Sequence, residues 1–345
     1  MPPRELRWGL LSTARIHERL IPAIRATPRC RIVAVASRDP ARGETFARDW
    51  NIPRSYGDYG SLLADPTVDV VYNPLPNALH AEWSVRAADA GKHVLCEKPL
   101  ACSVEEVDRM CDAAARRGVM IQEATMMRFH PQTARLRELI ADGAVGTVQA
   151  IRGLFTFVLA RDGDIRFDPH LGGGSLWDLG CYCVSLMRTS LAQEPIAVHG
   201  WQRTGAAGAD LCFGGQLLFP GDAVGQFFCS FAAFPHVEAD VLGTAGRITL
   251  DYPWASRLGV TSRLRVCRSR PSLPGGTFSD AALNVDEEEL AFEGINAYEE
   301  MIRQVTATLL DGSPTVVSLE ESRANVAVLA SLARSAAEGI AIRVG

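Results

Sequence analysis

The sequence predicts an α/β protein of two domains. A doubly wound parallel sheet is expected over residues 1–125. An α+β domain with a large, open, mostly antiparallel sheet follows over 126–345. Over the first 125 residues, short apolar runs alternate with helical stretches, as in a parallel sheet covered on both faces. After Thr125 the alternation gives way to long period-2 segments. The 345 residues, 47% of them hydrophobic, suffice for two cores rather than one.

Leu6–Leu11 (LRWGLL) reads as the first strand, followed by a helix through Ala26. Arg31–Ser37 is the second strand, with Asp39–Trp50 as its helix, and Val68–Asn73 the next clear strand. Ala78–Gly91 is a helix ended by glycine, and Lys92–Pro99 a strand. Ser103 and Glu106 form a capping box at the start of a helix that runs to Gly118, and Val119–Thr125 is another strand.

Beyond Thr125, Pro131–Gly146 is helical and Thr147–Leu159 a long strand. Three glycines, Gly172–Gly174, open a helix over Ser175–Leu191. The strands Pro195–Thr204, Leu211–Pro220, Ala223–Phe234, His236–Tyr252, Ser262–Ser269 and Glu287–Glu293 follow. Two helices, starting at Asn296 and Ser318, close the chain. Pro271–Gly276 reads as a surface loop and the acidic run Asp286–Glu289 as a solvated strand edge.

A net charge of -5 and a pI near 5.9 argue against general nucleic-acid binding. The basic clusters, Arg116-Arg117 and Arg265 to Arg270, read as solvated surface. The first residues do not form a signal peptide, and no apolar run reaches the ~20 residues a membrane helix needs. Nine scattered cysteines fit a reduced, cytoplasmic protein. Cys181 and Cys183 have no second pair at metal-site spacing, so no metal centre is expected.

The first strand runs into Gly9-Leu10-Leu11-Ser12-Thr13-Ala14-Arg15-Ile16. This is the outline of a dinucleotide loop, with Ser12 and Ala14 replacing two glycines. Such a loop lets backbone N–H groups and a helix N-terminus face a pyrophosphate. Ser37-Arg38 ends the second strand, where a carboxylate would read the ribose of NAD. A hydroxyl followed by a guanidinium suits a 2′-phosphate, so NADP(H) is expected over NAD(H).

Polar segments stand at the carboxyl ends of the parallel strands, where open α/β sheets bind ligands. They are Asn73-Pro74-Leu75-Pro76-Asn77 with His80, Glu97-Lys98-Pro99, and Glu123 to Arg128. His80 is read either as a neighbour of the cofactor or as a helix-start histidine. In the second domain Asp178 and Tyr182, four apart, share a helical face. Arg128, His130, Arg166, Asp168 and His170 are candidates to line a substrate pocket.

These motifs resemble the glucose-fructose oxidoreductase / inositol dehydrogenase / rhizopine catabolism (Gfo/Idh/MocA) family. The resemblance runs through GLLSTARI, NPLPNALHAEW, HVLCEKPL, EATMMRFHPQ and LGGGSLWDLGCYCV. It is strongest to the branch of D-xylose dehydrogenases, dihydrodiol dehydrogenase, glucose-fructose oxidoreductase and nucleotide-sugar 3-ketoreductases. It implies a Rossmann domain, a catalytic Lys98 and an acidic Asp178, with Tyr182 where many relatives have histidine. It also implies cofactor contacts from the Gly9–Ile16 loop, Ser37, Arg38, Asn73, Pro74, Leu75, Asn77, His80, Glu97, Lys98 and Arg128, and substrate contacts from Arg128, Arg166, Asp178 and Tyr182. Proton transfer at a carbon losing or gaining hydride needs an acid/base, and an ammonium beside a phenol lowers its pKa. The expected activity is NADP-dependent oxidation or reduction of a sugar, cyclic polyol or diol, in a homodimer or homotetramer. Two rivals remain: a non-catalytic nucleotide sensor, and a glycosidase that uses bound NAD for transient oxidation.

Overall fold

The computed structural model describes residues 5–161, 163–254, 260–269 and 285–344. The loop expected at Pro271–Gly276 and the end of the basic cluster at Arg270 lie outside them. The chain forms two compact units.

The first unit holds residues up to Phe129, His170–Gly172 and Asn296–Val326. Its sheet contains β1 (Leu6–Leu11), β2 (Cys30–Ala36), β3 (Ser55–Tyr56), β4 (Val70–Asn73), β5 (His93–Cys96) and β6 (Ile121–Glu123). The strands are all parallel, in the order β3-β2-β1-β4-β5-β6. That order reverses direction between β1 and β4, which leaves a crevice at the carboxyl ends of the strands. The helices are α1 (His17–Ala26), α2 (Pro40–Asp49), α3 (Tyr59–Leu63), α4 (His80–Asp89) and α5 (Val104–Arg117).

Ser103 caps α5 as expected, accepting from the Glu106 amide at 3.2 Å. The Glu106 carboxylate answers by accepting from the Cys102 amide at 3.0 Å. Among the strands and α-helices of this unit, two were not foreseen, β3 and α3, with two and five residues. Neither is long enough to carry a period. The helix Ala297–Asp311 packs on α1, with Arg29 and Asp311 paired at 2.6 Å.

The second unit holds His130–Pro169, Gly173–Ile295 and Ala327 onward. Its helices are α6 (Pro131–Ala141), α7 (Cys181–Leu191) and the part of the helix Leu319–Glu338 from Ala327 onward. The strands are β7 (Val148–Val158), β8 (Ala197–Thr204), β9 (Asp210–Leu218), β10 (Val224–Ser230), β11 (Ala232–Gly243), β12 (Gly246–Asp251), β13 (Ser262–Ser269), β14 (Val285–Phe292) and β15 (Ile342–Arg343). They form one sheet in the order β14-β13-β12-β11-β7-β10-β9-β8-β15. Among the described residues, its one parallel pair is β7 with β10.

Two expected strands are broken. Ala223–Phe234 divides at Phe231, because β10 and β11 flank β7 on opposite sides and the chain must cross its end. The Ser230 hydroxyl accepts from the Ala232 amide in that crossing, at 2.9 Å. His236–Tyr252 divides at Thr244-Ala245, whose amides donate to Thr147 and Val145 carbonyls. An apolar run conceals a reversal, since the alternation continues through it. Asp286–Glu289 lies on the edge strand β14 and is exposed, as expected.

Candidate active site

In the first unit, β1 delivers the Gly9–Ile16 loop. A Cβ on Gly9 would lie 2.9 Å from Leu62 Cδ2 and 3.0 Å from Val68 Cγ1, so a larger residue there would push on both side chains. Ser12 takes the left-handed conformation (φ 62°) that the replaced glycine would adopt, and its hydroxyl accepts from the Ala14 amide at 3.2 Å. The buried His17 ring sits under the loop, its Nε2 at 3.2 Å from the Leu11 carbonyl and 3.1 Å from that of Ser12. No side chain caps α1 at Ile16, which leaves its positive end for an anion.

Thr13, Ala14 and Arg15 line a cleft of about 370 Å³ together with Arg42, Thr45, Phe46 and Trp50 of the α2 region. Ser37 is buried, and its hydroxyl accepts from the Asp39 amide at 3.2 Å. Arg38 is exposed beside the Tyr59 hydroxyl; burial raises that phenol and Arg38 pulls it back. The Asp39 carboxylate is occupied as the cap of α2, accepting from the Arg42 amide at 3.1 Å. These residues fit a dinucleotide: loop amides for pyrophosphate, and a guanidinium rather than a free carboxylate at the end of β2.

The expected Lys92–Pro99 strand stops at Cys96, so Glu97-Lys98-Pro99 forms the loop beyond β5. The Glu97 amide still donates to the Asn73 carbonyl at 3.0 Å, but β4 and β6 end at Asn73 and Glu123, so the ladder goes no further. The Glu97 carboxylate accepts from the Tyr72 hydroxyl at 2.6 Å and from the Lys98 amide at 3.3 Å. One residue past Pro99, the Leu100 amide donates to the buried Glu123 carboxylate at 2.9 Å. Glu123 also accepts from Ser322 at 2.8 Å, and burial pushes its carboxyl up to about 7.

Other sequence candidates in this unit are held internally. Asn73 donates to the His80 carbonyl and Ser84, each at 3.1 Å, and accepts from the Leu75 amide. Pro74 and Leu75 are buried, and Asn77 donates to the Gly172 carbonyl at 2.8 Å. His80 is buried with Nδ1 and Nε2 each 2.8 Å from a carbonyl oxygen, of Pro99 and Leu75. Burial brings its pKa down to about 4, although only the imidazolium could donate to both carbonyls. Arg128 is buried in an ion pair with Glu321 at 2.6 Å.

In the second unit, the glycine turn leads into a π turn at Leu176–Gly180, which continues directly as α7. The helix expected from Ser175 therefore starts with i→i+5 bonding, a feature that recurs at functional sites. Asp178 lies in the π turn and Tyr182 in the first turn of α7. The Asp178 carboxylate accepts from Arg166 Nε at 2.8 Å, and Arg166 also pairs with Asp164 at 3.3 Å. Asp178 most of all, then Asp164 and the Tyr182 phenol, hold the Arg166 guanidinium above its usual range. Tyr182 is buried, its ring 5.7 Å from that of Phe155, which in turn stacks on Trp254.

Thus Arg166, Asp178 and Tyr182 cluster in the second unit, while Lys98, Glu97 and the nucleotide loop belong to the first. His130 serves as the cap of α6, accepting from the Gln132 amide at 3.1 Å, with its ring against Phe292. Asp168 accepts from the Gly173 amide through its backbone carbonyl. Sequence reasoning missed Arg42, Tyr72 and Asp210. Arg42 lies one helical turn beyond Arg38 and was within reach of a spacing argument. Tyr72 and Asp210 look like ordinary strand residues until the partners of their side chains are seen.

The family model for an oxidoreductase family with an NAD-binding Rossmann fold matches residues 6–125, and that for the GFO/IDH/MocA C-terminal domain residues 133–249. A D-xylose 1-dehydrogenase (NADP(+)) from Haloferax volcanii is 43% identical over 66% of this chain and 70% of its own. A trans-1,2-dihydrobenzene-1,2-diol dehydrogenase from Danio rerio is 32% identical over 94% of this chain and 98% of its own. Among solved structures, a 3-ketoreductase from Actinomadura kijaniata in complex with NADP and TDP-benzene superposes with a TM-score of 0.86 at 25% identity, covering 96% of this chain and 98% of that one.

Proposed function

The chain belongs to the Gfo/Idh/MocA family of oxidoreductases, and from that premise we propose that it moves a hydride between NADP(H) and the hydroxyl or carbonyl carbon of a sugar, cyclic polyol or diol. Bound nicotinamide supplies the hydride donor or acceptor. The chain supplies the rest. Tyr182 exchanges the proton at the substrate oxygen, Lys98 stabilises the phenolate, and Asp178 orients the hydroxyl. The observation that carries this reading is the Arg166–Asp178–Tyr182 cluster, an acid and a phenol on one helical stretch with a cation beside them. The substrate class is supported by the sugar and diol dehydrogenases among the relatives.

Screening aldoses, polyols, diols and keto-sugars by absorbance at the nicotinamide band tests the proposal. If no substrate of these classes changes that band in either direction, the proposal fails. Release of aglycone from an aryl glycoside without added oxidant would identify the glycosidase instead.

The preference for NADP rests on Arg38 and on the capping role of Asp39. A charge-assisted contact is worth ~1.5–3 kcal/mol, so Arg38→Ala should weaken NADP binding by about one to two orders of magnitude and leave NAD binding nearly unchanged. Titration of both cofactors by fluorescence checks this. Equal losses, or a native preference for NAD, would overturn it.

The nine-stranded sheet suggests the oligomer. Its register aligns Leu154, Phe228, Gly214 and Trp201 in one row across β7, β10, β9 and β8. Trp201 is 61% exposed and Leu154 36%. A second copy laid on this face by two-fold symmetry buries the row against its own equivalent. Sedimentation at micromolar concentration should therefore show a dimer or tetramer, and a monomer alone would refute the assignment. None of the cysteines forms a disulfide and no described helix is long and apolar enough to cross a membrane, which supports placing the enzyme in the cytoplasm.

A further inference from the structure

The geometry points to Asp210, at the start of β9, as the residue that positions Asp178 and Tyr182, by holding the first turn of the helical stretch that carries them. This rests on the proposed roles of those two residues. Asp210 is buried, and its Oδ2 accepts from the Ser175 hydroxyl at 2.5 Å and the Leu176 amide at 2.8 Å. Leu176 is the first residue of the π turn, and its carbonyl accepts from the Cys181 amide. Asp210 therefore fixes the end from which the turn is wound. A π turn holds one residue more than an α turn, and relaxation to α would rotate Asp178 against Tyr182 by about 100°. The Asp178 carboxylate would then leave Arg166, to which it is now bonded at 2.8 Å.

Gly174 shows the same device from the other side. Its φ is +121°, and a Cβ there would stand 2.0 Å from Asp210 Oδ1. Its amide donates to the Arg166 carbonyl at 2.9 Å, and its carbonyl accepts from the Asp178 amide at 3.1 Å. One glycine thus ties the segments bearing Arg166 and Asp178 together directly beneath the Asp210 carboxylate. The Ser175 carbonyl, next in the chain, accepts from the Cys229 thiol of β10 at 3.3 Å. The third glycine of the motif leaves room for a carboxylate from the sheet, which its sequence context does not reveal.

The test compares Asp210→Ala, Asp210→Asn and Gly174→Ala with Leu217→Ala, a buried residue of the same strand that measures destabilisation alone. Kinetics are run well below each melting temperature, with the most active substrate found. Asp210→Ala should lower kcat about 10- to 100-fold, leave KM for the dinucleotide within about twofold, and move the pH limb assigned to Tyr182 upward. Asp210→Asn keeps an oxygen for the same two donors and should recover most of that loss. Gly174→Ala should mimic Asp210→Ala, and the double variant should be no worse than either, because both disturb one contact. If Asp210→Ala does not fold, Gly174→Ala decides. Wild-type kcat and pH profile in Gly174→Ala, or a loss in Asp210→Ala no larger than in Leu217→Ala, would overturn the inference. If Tyr182→Phe is inactive while Asp210→Ala and Gly174→Ala keep wild-type turnover, only this inference falls; if Tyr182→Phe is active, the roles on which it rests fall as well.

Discussion

Tyr182→Phe should bind dinucleotide nearly as the native protein does and turn over ~10²–10⁴-fold more slowly, the usual contribution of a positioned acid/base. The ring is buried against Phe155, and phenylalanine keeps that packing. Only the ionisable hydroxyl is lost. A free phenol with a pKa of about 10 is a weak base at neutral pH, and it becomes useful only where nearby cations stabilise the phenolate. Within its own unit, Arg166 supplies one such charge, anchored by Asp178 and Asp164. Single-turnover rates at saturating cofactor are the measurement. If the variant kept most of its turnover while Lys98→Met did not, the lysine would be the acid/base and the tyrosine a packing residue.

Lys98→Met should be at least as damaging. Methionine keeps most of the length of the stem and removes the ammonium. The loop around the lysine is fixed at both ends by buried groups. Tyr72 donates to Glu97 on one side, and Glu123 accepts from the Leu100 amide on the other. A flexible side chain on a fixed backbone is how a cation is delivered to one place without being buried permanently. The pH profile of kcat/KM should show a group titrating well below pH 10 in the native enzyme. In Lys98→Met that limb should vanish or move to higher pH, because the phenolate loses its stabilising charge. A profile overlying the native one, with turnover intact, would exclude the lysine from this role.

Much of this was legible in the sequence because the physics is local. The parallel strands of the first unit read as short apolar runs, and Ser103 with Glu106 announced a helix start that the structure contains. Gly9 and Ser12 stood out by their place in and just after the first strand, and the structure gives one a tight fit and the other a left-handed backbone. Long-range partnerships were not legible. Tyr72 lies 25 residues from Glu97, and Asp210 lies 35 from Ser175. Nothing in either local pattern distinguishes a strand residue that packs from one that holds a loop. The π turn was hidden for a related reason: one extra residue in a helix leaves the apolar pattern almost unchanged while altering which side chains align. The breaks at Phe231 and Thr244 were hidden by continuous alternation through a reversal.

The first unit is not complete at Phe129. Ser322 donates to Glu123, Glu321 pairs with Arg128, Arg323 with Asp108 and Asp311 with Arg29, contacts that span between 193 and 282 positions of chain. On the ribosome, the strands of the nucleotide-binding sheet emerge well before the Asn296–Val326 segment that completes their unit. Until then Arg128 and Glu123 lack partners that they have in the finished fold, and a buried charge without its partner is unfavourable. Late closure of this kind raises contact order and slows the final step of folding. Loss of Asn296–Val326 would therefore be felt first at the nucleotide-binding half, although most of the second unit lies between them in the sequence.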